Sequence, residues 1–260
     1  MTRSALRRGD VRAVVLLAIV TVAAAGVLFA RGAAEPSGTE SSATSTSTST
    51  SASLVPSRAT TALWVGDSYT AGVGRIDNAS YARIVCLRMG WACNVDAEGS
   101  TGFLDDGAAE YQGVTSRLPA RLDFDKATFD ADAIIVDAGR NDLEVPFDVL
   151  IGAIDDYVSD LREGWPDARI VIIVPTFMSP EKYDNYDELV AGIDAIAAKV
   201  GGQVLDPVAR GWYANVDIPS MQIEDRVHPN AVGNAYLAGV LERDLRELGL
   251  GDLTAPEGPQ

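Results

Sequence analysis

Histidine is nearly absent from these 260 residues, with His228 alone, and cysteine occurs only twice, at Cys86 and Cys93. Three such side chains cannot furnish a zinc centre of the usual four-ligand kind. Basic residues are also scarce, 21 Lys and Arg against 37 Asp and Glu, and they are unevenly spread. Residues 1–61 hold six of the basic and three of the acidic side chains, which leaves 15 against 34, a net charge of −19, in residues 62–260. A domain of that sign repels polyanions, so nucleic acid is not expected as a partner. Internal repeats are lacking as well.

Long uncharged apolar stretches are confined to Ala13–Ala30, AVVLLAIVTVAAAGVLFA, which follows Arg3, Arg7, Arg8 and Arg12. Its 18 residues are at the short end for spanning a bilayer and long for the core of a signal peptide. Only Arg31 follows closely, so the charge bias keeps the N-terminus in the cytoplasm and exports what comes after. Gly32-Ala33-Ala34 offers a small-residue cleavage site, and a retained anchor and a cleaved signal are both open. The Ser/Thr tract that follows cannot form a core and reads as a flexible stalk, glycosylated or plain. The expected organisation is a cytoplasmic N-terminus at 1–12, a membrane or signal segment at 13–30, a linker at 31–61, a folded domain at 62–250 and a flexible tail at 251–260. In an exported domain, Cys86 and Cys93 suggest a disulfide between the end of the first helix and the second strand; two buried thiols are the alternative.

Within the domain, apolar runs alternate with helical patterns. The run Ala62–Val65 stops at Gly66-Asp67-Ser68 and a Gly-containing loop. Ser80–Met89 reads as a helix closed by Gly90, and Trp91–Ala97 as a second strand. Val114–Leu122 is a weak helical segment interrupted by Pro119. Ala133–Val136 and Ile170–Val174 are continuous apolar runs of buried-strand type. Val149, Leu150, Ala153, Ile154, Tyr157, Val158 and Leu161 recur at helical spacing, as do Leu189, Ile193, Ile196, Ala197 and Val200. Gln203–Leu205 is a short fifth strand. An irregular stretch leads to a last helix at about Asn230–Leu248, with Val232 among its inward residues. Strands alternating with helices predict a parallel sheet covered on both faces, a three-layer α/β/α sandwich of five strands in flavodoxin-like order.

Four features fall at loop ends on one edge of such a sheet. Ser68 ends the first strand, where ligands bind in open α/β sheets. Gly99 follows the second strand, with Gly102 competing for its role. Asn141 follows the third. His228 precedes the last helix, three residues after Asp225, with Glu224 and Asp217 as alternative carboxylates. A serine hydroxyl becomes a nucleophile when a base takes its proton, and His228 is the sole imidazole available. A carboxylate on the other ring nitrogen fixes the tautomer. An oxyanion needs preorganised donors, which the N–H groups of Ser68 and Gly99 and the Asn141 amide can supply. Singly, each residue is as well explained as a cap or turn; together and in order, they point to acyl transfer.

These residues resemble the blocks of the GDSL-type SGNH hydrolase family, serine esterases and lipases. Gly66-Asp67-Ser68 is similar to its nucleophile block, Gly99 to its glycine block, Gly139-Arg140-Asn141-Asp142 to its Gly-x-Asn-Asp block, and Asp225-x-x-His228 to its Asp-x-x-His block. Tyr69 stands where the family's name has leucine, a position read as rim rather than chemistry. The resemblance implies a three-layer α/β/α fold, no metal, and hydrolysis of esters or thioesters through an acyl-enzyme. The expected protein is an exported monomeric serine hydrolase with a Ser68–His228–Asp225 triad. Its substrate is expected to be a small-molecule, lipid or glycan ester, acetyl or longer acyl, of the envelope or surroundings, and its membrane contact to run through the N-terminal segment. An acyltransferase on the same site and a non-catalytic glycan- or protein-binding domain are the alternatives. Tyr69, Phe103, Leu104, Phe177, Met178, Trp212 and Tyr213 are candidates to line the cleft.

Overall fold

A computed structural model describes residues 58–73, 79–111, 113–251 and 253. The expected cytoplasmic, membrane and most of the linker segments lie outside the described residues, as does the tail from residue 254. Among the described residues no helix is long and apolar enough to cross a membrane.

Five strands, β1 (Thr61–Gly66), β2 (Ala92–Ala97), β3 (Ala133–Asp137), β4 (Arg169–Ile173) and β5 (Gln203–Leu205), form one sheet in the order β2-β1-β3-β4-β5 with every pairing parallel. The helices are α1 (Ser68–Ala71), α2 (Tyr81–Met89), α3 (Ala108–Tyr111), α4 (Leu118–Thr128), α5 (Phe147–Gly164), α6 (Tyr186–Val200) and α7 (Ala231–Glu247). Alternate residues of each central strand serve opposite faces. Leu63, Val65, Ile134, Val136, Ile170 and Ile172 pack with side chains of α4, α5 and α6. Ala62, Trp64, Ile135, Val171 and Ile173 pack with α2 and α7. Burial on both faces is why these strands read as unbroken apolar runs. The result is the three-layer α/β/α sandwich in flavodoxin-like order. The strand order reverses between β1 and β3, and the crevice beyond their carboxyl ends is the place such sheets bind ligands.

Three details differ from the sequence reading. Val114 is exposed in a turn, and the helix placed there begins at Leu118, with Pro119 in its first turn rather than interrupting it. Proline lacks only an N–H that the first turn leaves unbonded anyway. Val149 and Val232 lie on helices but face solvent. The ordered domain also extends past 62–250. Arg58 pairs with Asp132 at 2.7 Å, Thr61 opens β1, Leu253 packs on the α2/α7 layer, and the Thr60 hydroxyl donates to the Leu253 carbonyl at 2.6 Å. Cys86 and Cys93 form a disulfide, with Cα atoms 5.7 Å apart, across the left-handed turn at Gly90.

Candidate active site

The turn after β1 is built for close approach. A Cβ on Gly66 would lie 2.3 Å from the Thr70 hydroxyl oxygen and 2.7 Å from the Asp137 carbonyl oxygen, so only glycine fits. Asp67 caps α1 by accepting the Tyr69 N–H at 2.9 Å, and Ser68 becomes the first helical residue. Its own N–H is among the first-turn donors that a helix cannot satisfy internally.

Asp67 lies in a buried charge cluster. The Arg140 guanidinium donates to Asp67 at 3.1 Å, to Asp137 at 2.6 Å and to the Thr176 carbonyl at 2.7 Å. The Tyr81 hydroxyl bonds Asp137 and lies 3.0 Å from the Thr70 hydroxyl oxygen. One cation thus faces two carboxylates, all three at most a few per cent exposed. Burial raises the Asp67 carboxyl above its ordinary range; Arg140 opposes this and Asp137 adds to it. The arrangement spans α1, β3 and the loop after β4, and it fixes Arg140 directly beside Asn141.

The next two residues of that block tie down the loop after β2. The Asn141 amide donates to the Thr101 carbonyl at 2.8 Å, which leaves its second N–H for another acceptor. The Asp142 carboxylate accepts the N–H groups of Phe103, Leu104 and Asp105 at 2.7, 3.1 and 2.9 Å. Burial nevertheless holds its pKa above the ordinary value, against the pull of those three bonds. This packing separates the two competing glycines. Gly102 donates to the Asp105 carbonyl, and a Cβ there would lie 2.1 Å from Asp142. Its glycine requirement is therefore met by packing on Asp142, and Gly99 is left as the backbone donor candidate. Arg121 braces the same loop, donating to Asp96 at 2.8 Å, to Thr101 and the Gly66 carbonyl at 3.3 Å each, and to the Ser116 carbonyl.

The histidine loop is closed at its base by a bridge between Gln222 and Pro229. Arg226 turns it with φ of 60°, in the left-handed region where a side chain costs about 1–2 kcal/mol. Asp225 holds the turn through one oxygen, which accepts the N–H groups of Val227 and His228 at 2.8 and 2.9 Å. Its other oxygen lies 2.6 Å from His228 Nδ1. Burial nudges the Asp225 carboxyl upward, but the ring and the two N–H bonds together hold it below the ordinary value. An ionised carboxylate only accepts, so Nδ1 carries the proton and Nε2 is free to accept. Nε2 lies 2.8 Å from Ser68 Oγ. Beyond the loop, the Asn230 side chain caps α7 by accepting from Val232 and Gly233.

Ser68, His228 and Asp225 are therefore one hydrogen-bonded row. It can deprotonate a serine hydroxyl and return that proton to a leaving group. Of the expected cleft residues, Tyr69, Phe103, Met178, Trp212 and Tyr213 are buried core side chains, Leu104 is half-buried, and only Phe177 is exposed. Tyr69 is not a rim residue: it is 1% exposed and lies behind His228. Arg140, Arg121 and Asp142 were not singled out by residue type. Arg140 and Asp142 carry one sequence signal, charge placed directly after the buried strand β3 and Gly139, whereas Arg121 sits within α4 with no local sign of its role.

Comparison with known proteins gives matches over the same span. A family model described as the GDSL-like Lipase/Acylhydrolase family matches residues 64–236. A GDSL lipase of Mycobacterium tuberculosis is 30% identical over 185 residues, 67% of this chain and 76% of the relative. Among solved structures, the carbohydrate acetylesterase Est24 from Sinorhizobium meliloti superposes with a TM-score of 0.56 at 13% identity, over 73% of this chain and 99% of that one. The M. smegmatis aryl esterase gives 0.54 at 15% identity, over 73% and 100%.

Proposed function

This chain belongs to the GDSL-like lipase/acylhydrolase family, and on that premise we propose that it is an exported serine esterase working through Ser68, His228 and Asp225. The observation that carries the reading is the continuous row Ser68 Oγ–His228 Nε2 at 2.8 Å and His228 Nδ1–Asp225 at 2.6 Å. Ser68 Oγ attacks the acyl carbonyl while its proton passes to Nε2. The carbonyl oxygen takes the negative charge, and the N–H groups of Ser68 and Gly99 with the free N–H of Asn141 stabilise it. The carbonyl re-forms as the C–O bond to the alcohol breaks, and His228 gives its proton to that alcohol. A water then attacks the acyl-serine with His228 as base, and the acid leaves with Ser68 restored. Asp225 keeps the ring in its tautomer and stabilises the imidazolium.

The activities named for its relatives, lipase, carbohydrate acetylesterase and aryl esterase, share ester cleavage and differ in the acyl and alcohol parts. The N-terminal arginines, the apolar run and the Ser/Thr tract support a place outside the cytoplasm, tethered or released, where acetyl or longer acyl esters of envelope carbohydrate or lipid are within reach. The test is hydrolysis of p-nitrophenyl esters of increasing chain length by the full chain. S68A is expected to abolish turnover, and N141A to lose on the order of 10²–10³ in rate, the usual worth of one oxyanion donor. Full activity in either variant refutes its assigned role. A folded protein that neither hydrolyses esters nor is labelled at Ser68 by a fluorophosphonate is a binding domain instead.

A further inference from the structure

We infer that Tyr69 is a positioning residue: its buried ring and hydroxyl hold the His228 loop at the separation from Ser68 that proton transfer needs. The inference rests on the reading of Ser68 as nucleophile and His228 as its base. Tyr69 follows Ser68 in α1, so its backbone moves with the nucleophile. Its hydroxyl donates to the Val227 carbonyl at 2.5 Å, on the residue directly before His228. The same oxygen accepts the Met178 N–H at 3.3 Å, from the loop after β4. The ring lies 5.7 Å from the imidazole, centroid to centroid, tilted by 48°. The ring also meets Phe177 edge-on, centroids 6.5 Å apart, and the Arg140 guanidinium, whose central carbon lies 4.3 Å from the ring centroid. One side chain thus touches the histidine loop, the loop after β4 and the residue beside Asn141.

Three features make this more than core packing. The hydroxyl sits between a carbonyl that only accepts and an N–H that only donates, so its direction is fixed. Burial keeps the phenol protonated, with a pKa pushed up to about 12, so the donor persists through the working pH range. And the Val227 carbonyl lies on the exposed His228 loop, whose remaining bonds are largely to itself. Beside the Ser68–His228 bond itself, the Tyr69 hydroxyl is a long-range tie, from 158 residues away, on a loop whose other hydrogen bonds are largely its own. Leucine, the residue in the family's name, has no donor and cannot make it.

The test compares the full-length wild type with Y69F, which keeps the ring and removes only the hydroxyl. Turnover of p-nitrophenyl acetate is expected to fall about tenfold to a hundredfold, the scale of an ångström-level misplacement, with KM within about twofold. Because His228 is the sole histidine, the protein gives a single pair of imidazole ¹⁵N signals, and these are expected to move in Y69F and equally in the inactive S68A background. Unchanged kcat with unmoved imidazole signals overturns the inference. So does a lowered melting temperature with kcat and those signals intact, which is the signature of packing alone. If Y69F does not fold, Y69M, an adaptable apolar replacement, carries the same expectations. Absence of S68A-sensitive activity in the wild type would refute the esterase reading and the proton-transfer role with it, whereas unmoved imidazole signals in Y69F beside an active wild type refute the role of Tyr69 alone.

Discussion

Ser68 and His228 meet at 2.8 Å, yet the ground under each is built differently. Beneath Ser68 lies a buried cluster in which Asp67, Asp137 and Arg140 are joined across as many as 73 residues of chain. Beneath His228 lies a partly exposed loop whose main holds run from Asp225 to residues two and three positions on. The nucleophile is thus held by the fold, and the base chiefly by its own sequence with the Tyr69 tie added. The difference teaches which perturbations spread. Damage to the first should be felt as lost stability, and damage to the second as lost rate in an intact protein.

The sharpest way to break that contrast is at Asp225. D225N still offers an oxygen to the turn but can present an amide to Nδ1, favouring the wrong tautomer. Turnover is expected to fall roughly 10²–10⁴-fold, with the urea midpoint little changed, and kinetics beside a denaturation curve measure both. A large loss of stability would show that the loop is not self-sufficient. At Arg140 the expectation is reversed. R140M strands two buried carboxylates, which should cost about 3–5 kcal/mol. The sign with pH follows from burial. With its opposing cation gone, the Asp67 carboxyl, already raised by burial, stands above its unfolded value of about 4, so the cost is small below that pH and grows as pH rises. Urea melts at pH 5 and pH 8 would read it, and a pH-independent loss would argue against the ionic origin.

A smaller effect sharpens the comparison from a place apart from Ser68. Asp125 on α4 is fully buried, and burial, with the neighbouring Asp96 charge adding and Arg121 opposing, raises its carboxyl to about 7. A raised carboxyl makes the folded state bind more protons than the unfolded one, so stability falls as pH rises from about 4 to 7 and is level beyond. D125N removes that titration. Its stabilisation relative to the wild type is expected to appear above pH 4 and to be complete just above 7, with turnover on esters unchanged. A gain independent of pH would contradict the assignment.

The same contrast explains what was legible in the sequence. The Asp225-x-x-His228 spacing announced its geometry because the bonds that make it span three residues or fewer. The strands were legible because burial on both faces leaves unbroken apolar runs, as in Ala133–Val136. The brace around the nucleophile was not. Nothing local in Gly-Arg-Asn-Asp says that its arginine reaches back to Asp67, that its last residue gathers three N–H groups 37 to 39 positions upstream, or that Arg121 grips Gly66 from 55 residues away. Whether aromatic residues in loops line the cleft or pack in the core is undecided by sequence for the same reason. Trp212 and Tyr213 lie in the irregular stretch between Leu205 and the last helix, but the fold turns them into the layer beneath α7. Tyr69 was read as rim because its partners, Val227 and Met178, are more than a hundred positions away.

The bond from the Thr60 hydroxyl to the Leu253 carbonyl brings the first strand's approach and the last helix's exit side by side. Chain order in this domain is therefore a matter of history rather than of architecture. A circular permutant that links residue 253 to residue 58 by a few glycines and reopens in the exposed turn near Glu181 would keep every strand neighbour and the row from Ser68 to Asp225. Its histidine would then precede its serine along the chain.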